Sequence, residues 1–399
     1  MNETKVLRLA RDQDRRLRAG HLWVYSNEID NEATPLKGFE PGELVAIENA
    51  QGRWLGLGYV NPHSLICARI LTRGREQAVN EKFFVRRIRS ALALRERLYP
   101  RPFYRLVFGE AEGLPGVVVD RYGDYLVVQL TTAGMEAQRA TLIDALVKVL
   151  APAGILLRND SPVREQEGLT RYIEQAHGRV PDRVTLEEGG CRFEVSPAEG
   201  QKTGWFFDQA ANRDRMMRYV QGGRVLDVCS YVGAWSVRAL AAGAAHATAV
   251  DASAQALELA GTNADLNGVG GRLEALRGDA FQVLRDLRAA GARYDVVVLD
   301  PPAFVKRRKD MKEGGLAYRR LNEAALGLIE PDGLLVTASC SFHMSAEHLL
   351  ETVQRAARHH DRHLQLLESG QQGPDHPVHP AIPETAYLKA FFLRVLPTL

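Results

Sequence analysis

Apolar and polar residues alternate along 43–48, and short apolar runs follow at 54–60 and 65–71. A period of two marks strands with one buried face, and the Asn- and Gly-bearing stretches 49–52 and 61–64 supply turns between them. Residues 1–75 therefore predict a small β-barrel. Over 80–98 the repeat lengthens to that of an Arg-rich amphipathic helix. Short strands over 104–108, 116–120, 125–130 and 154–158, with a helix over 136–150, predict a small α+β domain across 76–190.

After Cys191 the rhythm changes again. Strands expected at 224–229, 247–251, from 276, 294–300 and 333–339 alternate with helices at 235–242, 253–267, 281–290, 321–329 and from 346. Five strands alternating with helices predict a parallel, doubly wound, Rossmann-like sheet over 191–399, which places the chain in the α/β class. The segment 370–377, GQQGPDHP, is expected to be an exposed loop.

Composition narrows the class. The chain has 399 residues, more than one ordinary domain. Its 45% hydrophobic and 25% charged residues exclude a disordered or fibrous protein. The apolar runs are too short to cross a bilayer, and the opening MNETKVLRLARDQDRRLRAG lacks the apolar stretch of a secretion signal. Cys67, Cys191, Cys229 and Cys340 show no CxxC spacing, which argues against a disulfide scaffold and a Cys-based zinc site. A cytoplasmic protein with free thiols, no metal and no membrane partner is expected. The net charge of +2 hides an asymmetry: residues 1–101 hold 18 Lys and Arg against 12 Asp and Glu. A second basic cluster, 301–320, holds seven basic residues against two acidic ones. Two basic regions apart in sequence point to an anionic polymer.

In a doubly wound sheet the ligand lies beyond the carboxyl ends of the strands. The first such end reads DVCSYVG, from Asp227 to Gly233. Ser230 and Tyr231 stand where a dinucleotide site needs glycines to admit a pyrophosphate. A ligand without phosphate, such as S-adenosylmethionine, needs no such approach. Asp251 and Ala252 end the second strand; a carboxylate there can accept two hydrogen bonds from a ribose diol, or it can cap the next helix. Asp279 and Ala280 pose the same alternative at the third strand: an adenine edge read, or a helix capped. After the fourth strand come Asp300, Pro301, Pro302 and Phe304. The prolines hold Asp300 extended, and Phe304 offers a face to a base drawn out of its helix. Cys340 ends the fifth strand. A free Cys is commonly a small buried apolar residue, but this one falls where the site should be, and Cys229 borders the cofactor turn. Upstream, Lys202, Phe206, Asp208 and Gln209 precede a helix with Arg213 and suit a cover over the cofactor; Asp208 can equally cap that helix. Lys306, Arg307, Arg308 and Lys309 are placed to grip phosphates.

Taken together, several segments resemble the bacterial large-subunit ribosomal RNA methyltransferase I family, which makes 5-methylcytosine in 23S ribosomal RNA. They are HLWVYS at 21–26, GEAEGLPG at 109–116, DRYG at 120–123, KTG at 202–204 with Asp208 and Gln209, DPPAF at 300–304, SCS at 339–341, DHP at 375–377 and YLK at 387–389. The resemblance covers nearly the whole chain. It implies an RNA-binding PUA domain at 1–75, a central α+β domain at 76–190 and a methyltransferase domain at 191–399, with S-adenosylmethionine as cofactor. It further implies Asp251 at the ribose, Asp279 at the adenine edge, the 227–233 turn at the methionine part, and Asp300 and Cys340 at the base. Two positions depart from the family: the first turn reads VCSYVGAW, and Ala303 stands where Lys is frequent, so no role passes to position 303. The oligomeric state is left open, a homodimer included.

Carbon 5 of cytosine is a poor nucleophile. A thiolate adding to carbon 6 makes an enamine that can take a methyl group. Cys340 is expected to be that thiolate, with Asp300 on ring N3 and the exocyclic amine. Two other readings remain: an amino methyltransferase acting on a purine, and an RNA-binding ribosome-assembly factor with an inactive methyltransferase domain. The missing glycine fingerprint disfavours a nicotinamide dehydrogenase.

Overall fold

The computed structural model describes residues 4–398, so the outermost ends of the 1–75 and 191–399 assignments lie outside the described residues. The chain forms two compact units. The first contains the chain through 184 with 196–205 and 374–385; the second contains 185–195, 206–373 and the chain from 386.

In the first unit, strands Val6–Arg8, Leu44–Glu48, Trp54–Val60, Ala68–Thr72 and Trp23–Val24 form one sheet in that order. The apolar residues Val45, Ile47, Leu55 and Val60 are buried with Leu7, Val24 and Ile70. The third expected strand starts at Ala68, not at 65, because the chain is still turning: Asn61 N donates to Cys67 O at 2.7 Å. Asn80 caps the helix Glu81–Leu98 by accepting from Phe83 N, and the helix buries Phe84 and Ile88 in the next core. That core lies on a second sheet, ordered Tyr172–Gly178, Gly154–Asn159, Tyr125–Leu130, Val117–Tyr122, Phe103–Phe108. Tyr172–Gly178 is mostly exposed, so no apolar pattern announces it.

Buried polar contacts bring 196–205 and 374–385 into this unit. Arg105 forms a bidentate pair with Asp120 at 2.8 and 2.9 Å. Asp120 also accepts from the Thr203 hydroxyl, and Arg105 N donates to Asp375 at 2.9 Å. The segment 370–377 is thus not an exposed loop. Gln372, Asp375 and His376 are buried, and His376 Nδ1 lies 2.9 Å from Asp375. Gly and Pro signal a bend, but not whether charged groups elsewhere in the chain bury it.

The second unit holds β1 (Arg224–Val228), β2 (His246–Asp251), β3 (Leu273–Arg277), β4 (Tyr294–Leu299), β5 (Ile329–Ser339), β6 (Arg362–Gln371) and β7 (Lys389–Pro397). They form one sheet in the order β3-β2-β1-β4-β5-β7-β6. β1 to β5 are parallel, and β7 runs antiparallel between β5 and β6. The sheet therefore has two more strands than the alternation predicts, because the strand–helix rhythm ends after the helix Ala346–Arg358. β3 starts at Leu273 rather than 276, as a largely exposed edge strand with a weak pattern. The helix expected at 321–329 is Met311–Leu326; its charged first half hides the period. Strand order reverses between β1 and β4, so the switch-point crevice lies past their carboxyl ends.

Candidate active site

Past β1 the chain turns through Cys229 (φ 65°), Tyr231 (φ 50°) and Gly233 (φ 78°), all left-handed. A Cβ on Gly233 would also stand 2.9 Å from Ala260 Cβ, so glycine is required there. Cys229 and Tyr231 hold this conformation at a cost of about 1–2 kcal/mol each, and strain of this kind concentrates at functional sites. Hydrogen bonds enforce it. Cys229 N and Ser230 N donate to Val250 O at 2.9 and 3.0 Å, and Tyr231 N donates to Asp251 Oδ2 at 2.9 Å.

Asp227 is fully buried beneath this turn. Its Oδ2 accepts from Ser236 N (3.1 Å) and Ser236 Oγ (2.8 Å), while Oδ1 and the buried Ser230 Oγ have no partner among the described residues. Burial pushes the Asp227 carboxyl up to about 7, against the Ser236 hydrogen bonds. Buried polar atoms without partners are costly. Here they fit a ligand bringing its own donor and cation, as the amino-acid end of S-adenosylmethionine does.

Asp251 receives Ser253 N on Oδ1 (2.9 Å), and Ser253 rather than Asp251 caps the helix Ala254–Leu266. Each Asp251 oxygen keeps acceptor capacity for a ribose hydroxyl. Ala252 is exposed. Asp279 is exposed and caps the helix Ala280–Ala289, accepting from Gln282 N at 3.1 Å. Capping therefore describes Asp279, which still has one oxygen uncommitted to that bond.

The segment 206–209 meets this turn: the rings of Phe206 and Tyr231 pack edge to face, 5.6 Å apart. Gln209 Nε2 donates to Asp300 Oδ1 at 2.8 Å, and Trp235 Nε1 donates to Asp300 Oδ2 at 3.2 Å. Tyr387 Oη donates to Asp208 Oδ2 at 2.5 Å. Beside them the buried Arg213 makes a bidentate pair with Glu188 (2.6 and 2.7 Å) and donates to Phe206 O. Burial raises the Asp300 carboxyl above the ordinary carboxylate range; Asp208 adds to the rise, and Trp235, Gln209 and Arg213 oppose it. Lys202 is exposed and belongs to the 196–205 segment of the first unit.

Cys340 follows β5, partly exposed. The serines on either side of it are locked: Ser339 Oγ donates to Tyr318 Oη (2.9 Å), and Ser341 Oγ contacts the same phenol (2.9 Å) and accepts from Val305 N (3.1 Å). Of the sequence candidates for base contact, Pro301 is buried and Pro302 exposed. Phe304 packs edge-on to Tyr318, 4.8 Å between ring centres, so packing occupies part of its ring. Lys306, Arg307, Arg308 and Lys309 are exposed, with Arg307 paired to Asp310 at 3.3 Å. Cys67 and Cys191 are buried, as the default reading of a free cysteine expects. Burial pushes the Cys229 thiol up to about 12, which disfavours it as a thiolate. Glu188, Ser236 and Tyr318 escape the sequence reading, because nothing local marks them as partners of Arg213, Asp227 and the serines beside Cys340.

A sheet of this order, with a strained turn at the switch point and carboxylates at successive strand ends, defines an S-adenosylmethionine-dependent methyltransferase. The profile of that family matches residues 172–394, and that of the PUA-like domain matches 7–73. The chain is 38% identical to ribosomal RNA large subunit methyltransferase I of Aliivibrio fischeri, across 98% of this chain and 100% of that one. It is 37% identical to the protein of that name from Vibrio cholerae, over 98% and 100% of the two chains. The fold is shared with the crystal structure of a protein assigned as a methyltransferase and complexed with SAH, with a TM-score of 0.84, 19% identity and coverage of 98% and 100%. The chain belongs to the ribosomal RNA large subunit methyltransferase I family, and its cofactor is S-adenosylmethionine. Among the described residues no helix is long and apolar enough to cross a membrane, and no group of three or more His, Cys, Asp and Glu is arranged to hold a metal.

Proposed function

We propose that this protein methylates carbon 5 of a cytosine in large-subunit, 23S, ribosomal RNA through a covalent adduct on Cys340. One observation carries the reading: Cys340 and Asp300 follow neighbouring parallel strands, β5 and β4, and Ser341 links their loops through Val305 N. S-adenosylmethionine supplies the electrophilic methyl group. The Cys340 thiolate adds to carbon 6, and carbon 5 becomes an enamine carbon. Asp300, protonated, donates to ring N3 and accepts from the exocyclic amine, so the adduct's charge is held. After methyl transfer the carbon 5 proton passes to water, and the carbon–sulfur bond breaks to restore the thiolate. Nucleoside analysis of RNA methylated in vitro tests this reading: 5-methylcytosine is expected, and an N-methylated purine would replace it with an amino methyltransferase.

In this reading Asp251 holds the ribose, Asp279 and Ala280 the adenine edge, and Ser230 and Asp227 the methionine end. The ionised form of Asp227 pairs with the ammonium of the cofactor. Its carboxyl ionises only as pH rises through about 7, so S-adenosylmethionine should bind more tightly above that value than below it. Calorimetry on both sides of pH 7 checks the sign. Asp227→Asn should flatten the dependence and weaken binding by about 1.5–3 kcal/mol, the worth of a hydrogen bond to a charged group.

The domains at 1–75, 76–190 and 191–399 divide the work: the PUA-like barrel and residues 306–309 grip RNA, and the last domain does the chemistry. Replacing Lys306, Arg307, Arg308 and Lys309 by Ala should weaken RNA binding without changing cofactor affinity. Three of these cations are free of the Asp310 pairing. The slope of log K against log salt should therefore fall by about 2, at about 0.7–0.9 per phosphate contact. Filter binding over a salt series measures it.

A further inference from the structure

We propose that Lys389 is the positioning residue of Cys340: its ammonium pins the turn that carries the thiol and sets a cation beside the sulfur. This rests on the covalent reading above. Lys389 opens β7, opposite Ser339 of β5 and Gln371 of β6. Its Nζ donates to Ser341 O at 2.5 Å and Met344 O at 2.6 Å, clamping the turn directly after Cys340. An ammonium has three donors, and these bonds use two. Burial lowers Lys389 to about 8, while the charge of Cys340 acts in the opposite direction. Two groups thus share one electrostatic site, each favouring the charged form of the other. Ionisable side chains beside them include Tyr318, whose phenol is raised by burial and stays neutral, and the exposed His343 of the same turn. A thiolate, not a thiol, is the nucleophile, so a cation held at this place increases the reactive fraction.

The test is the alkylation rate of Cys340 by iodoacetamide, read by peptide mass mapping across a pH series. In Lys389→Met the rate near neutral pH should drop about tenfold, the population change of one pKa unit. At strongly alkaline pH, where the thiolate forms without help, it should meet the wild-type rate. Lys389→Arg should keep the neutral-pH rate within about threefold. Lys389→Gln reads the same effect if the Met variant does not fold, and cofactor binding by calorimetry certifies each variant. An unchanged profile, or a loss equal at every pH, overturns the proposal. The readout needs no RNA, so it stands or falls apart from the methylated base.

A different observation carries a second inference. We infer that the exposed face of the helix Glu81–Leu98 is a docking surface for the phosphate backbone of RNA. Lys82, Arg86 and Arg89 are exposed at spacings of four and three, hence on one face. None has a carboxylate partner among the described residues, whereas the neighbouring Glu81 is occupied by Lys148. Arg86 also lines a surface hollow with the exposed Arg75 and Glu76. At 1.5 Å per residue the three cations lie about 6 and about 4.5 Å apart along the axis, close enough for successive phosphates of one strand. Lys82→Glu, Arg86→Glu and Arg89→Glu together should weaken RNA binding at least about tenfold and lower the salt slope by about 2, with cofactor affinity unchanged. Wild-type binding separates the failures. If the wild type does not bind RNA, the RNA reading fails; if it does and the triple variant matches it, this surface is wrong.

Discussion

Cys340→Ala is expected to abolish methyl transfer from labelled S-adenosylmethionine to RNA, by about 10⁴-fold or more, since no other group replaces a nucleophile. Cofactor affinity should stay at the wild-type value, because the 227–233 turn, Asp251 and the 206–209 segment do not depend on that sulfur. The change removes one atom from a partly exposed side chain, so the fold should tolerate it. RNA carrying 5-fluorocytosine gives a positive version. Fluorine cannot leave as a proton does, so the wild-type protein should remain attached through Cys340, and the alanine variant should not. A near wild-type rate from the alanine variant would end the covalent route and favour transfer to an exocyclic amine, for which Asp300 and the two prolines would suffice.

Asp300→Ala should lower kcat by about 10²–10³-fold, the usual loss when a group that stabilises developing charge is removed. The pH profile makes this specific. Asp300 must be protonated to donate to N3, and its carboxyl is raised by burial. The rate should therefore fall as pH climbs past that raised value, while the thiolate population grows with pH. The product of the two is a bell. Asp300→Asn keeps a donor and an acceptor, and should lose the alkaline limb that belongs to Asp300. Rates of methyl incorporation across the series decide it, and a full-speed Asp300→Ala enzyme would remove this carboxyl from the base.

Much of the methyltransferase sheet was legible, because burial of one face leaves a period. β1, β2 and β4 are short apolar strands between amphipathic helices, and their ends place Asp227, Asp251 and Asp300 at one edge. β6 and β7 were not legible: only the short 3-10 turn Pro383–Thr385 stands between them in place of an amphipathic helix, and β6 is largely exposed. The burial of Asp375 and His376 was hidden for another reason. Their partner Arg105 is remote in sequence, and a Gly- and Pro-rich stretch reads the same whether or not such a partner exists.

The chain's own pattern determined the α/β class, the strand ends and the residue types that stand there, since periodicity and turn chemistry act over a few neighbours. Only the tertiary structure decided what each of those residues does next. Gln209 and Trp235 hold Asp300, Ser236 leaves one oxygen of Asp227 open, and Lys389 reaches the turn after Cys340. Asp279 caps a helix through Oδ1 and keeps its other oxygen out of that bond. A hydrogen bond selects its partner by position in space, and residues far apart in sequence become neighbours only when the strands carrying them pair.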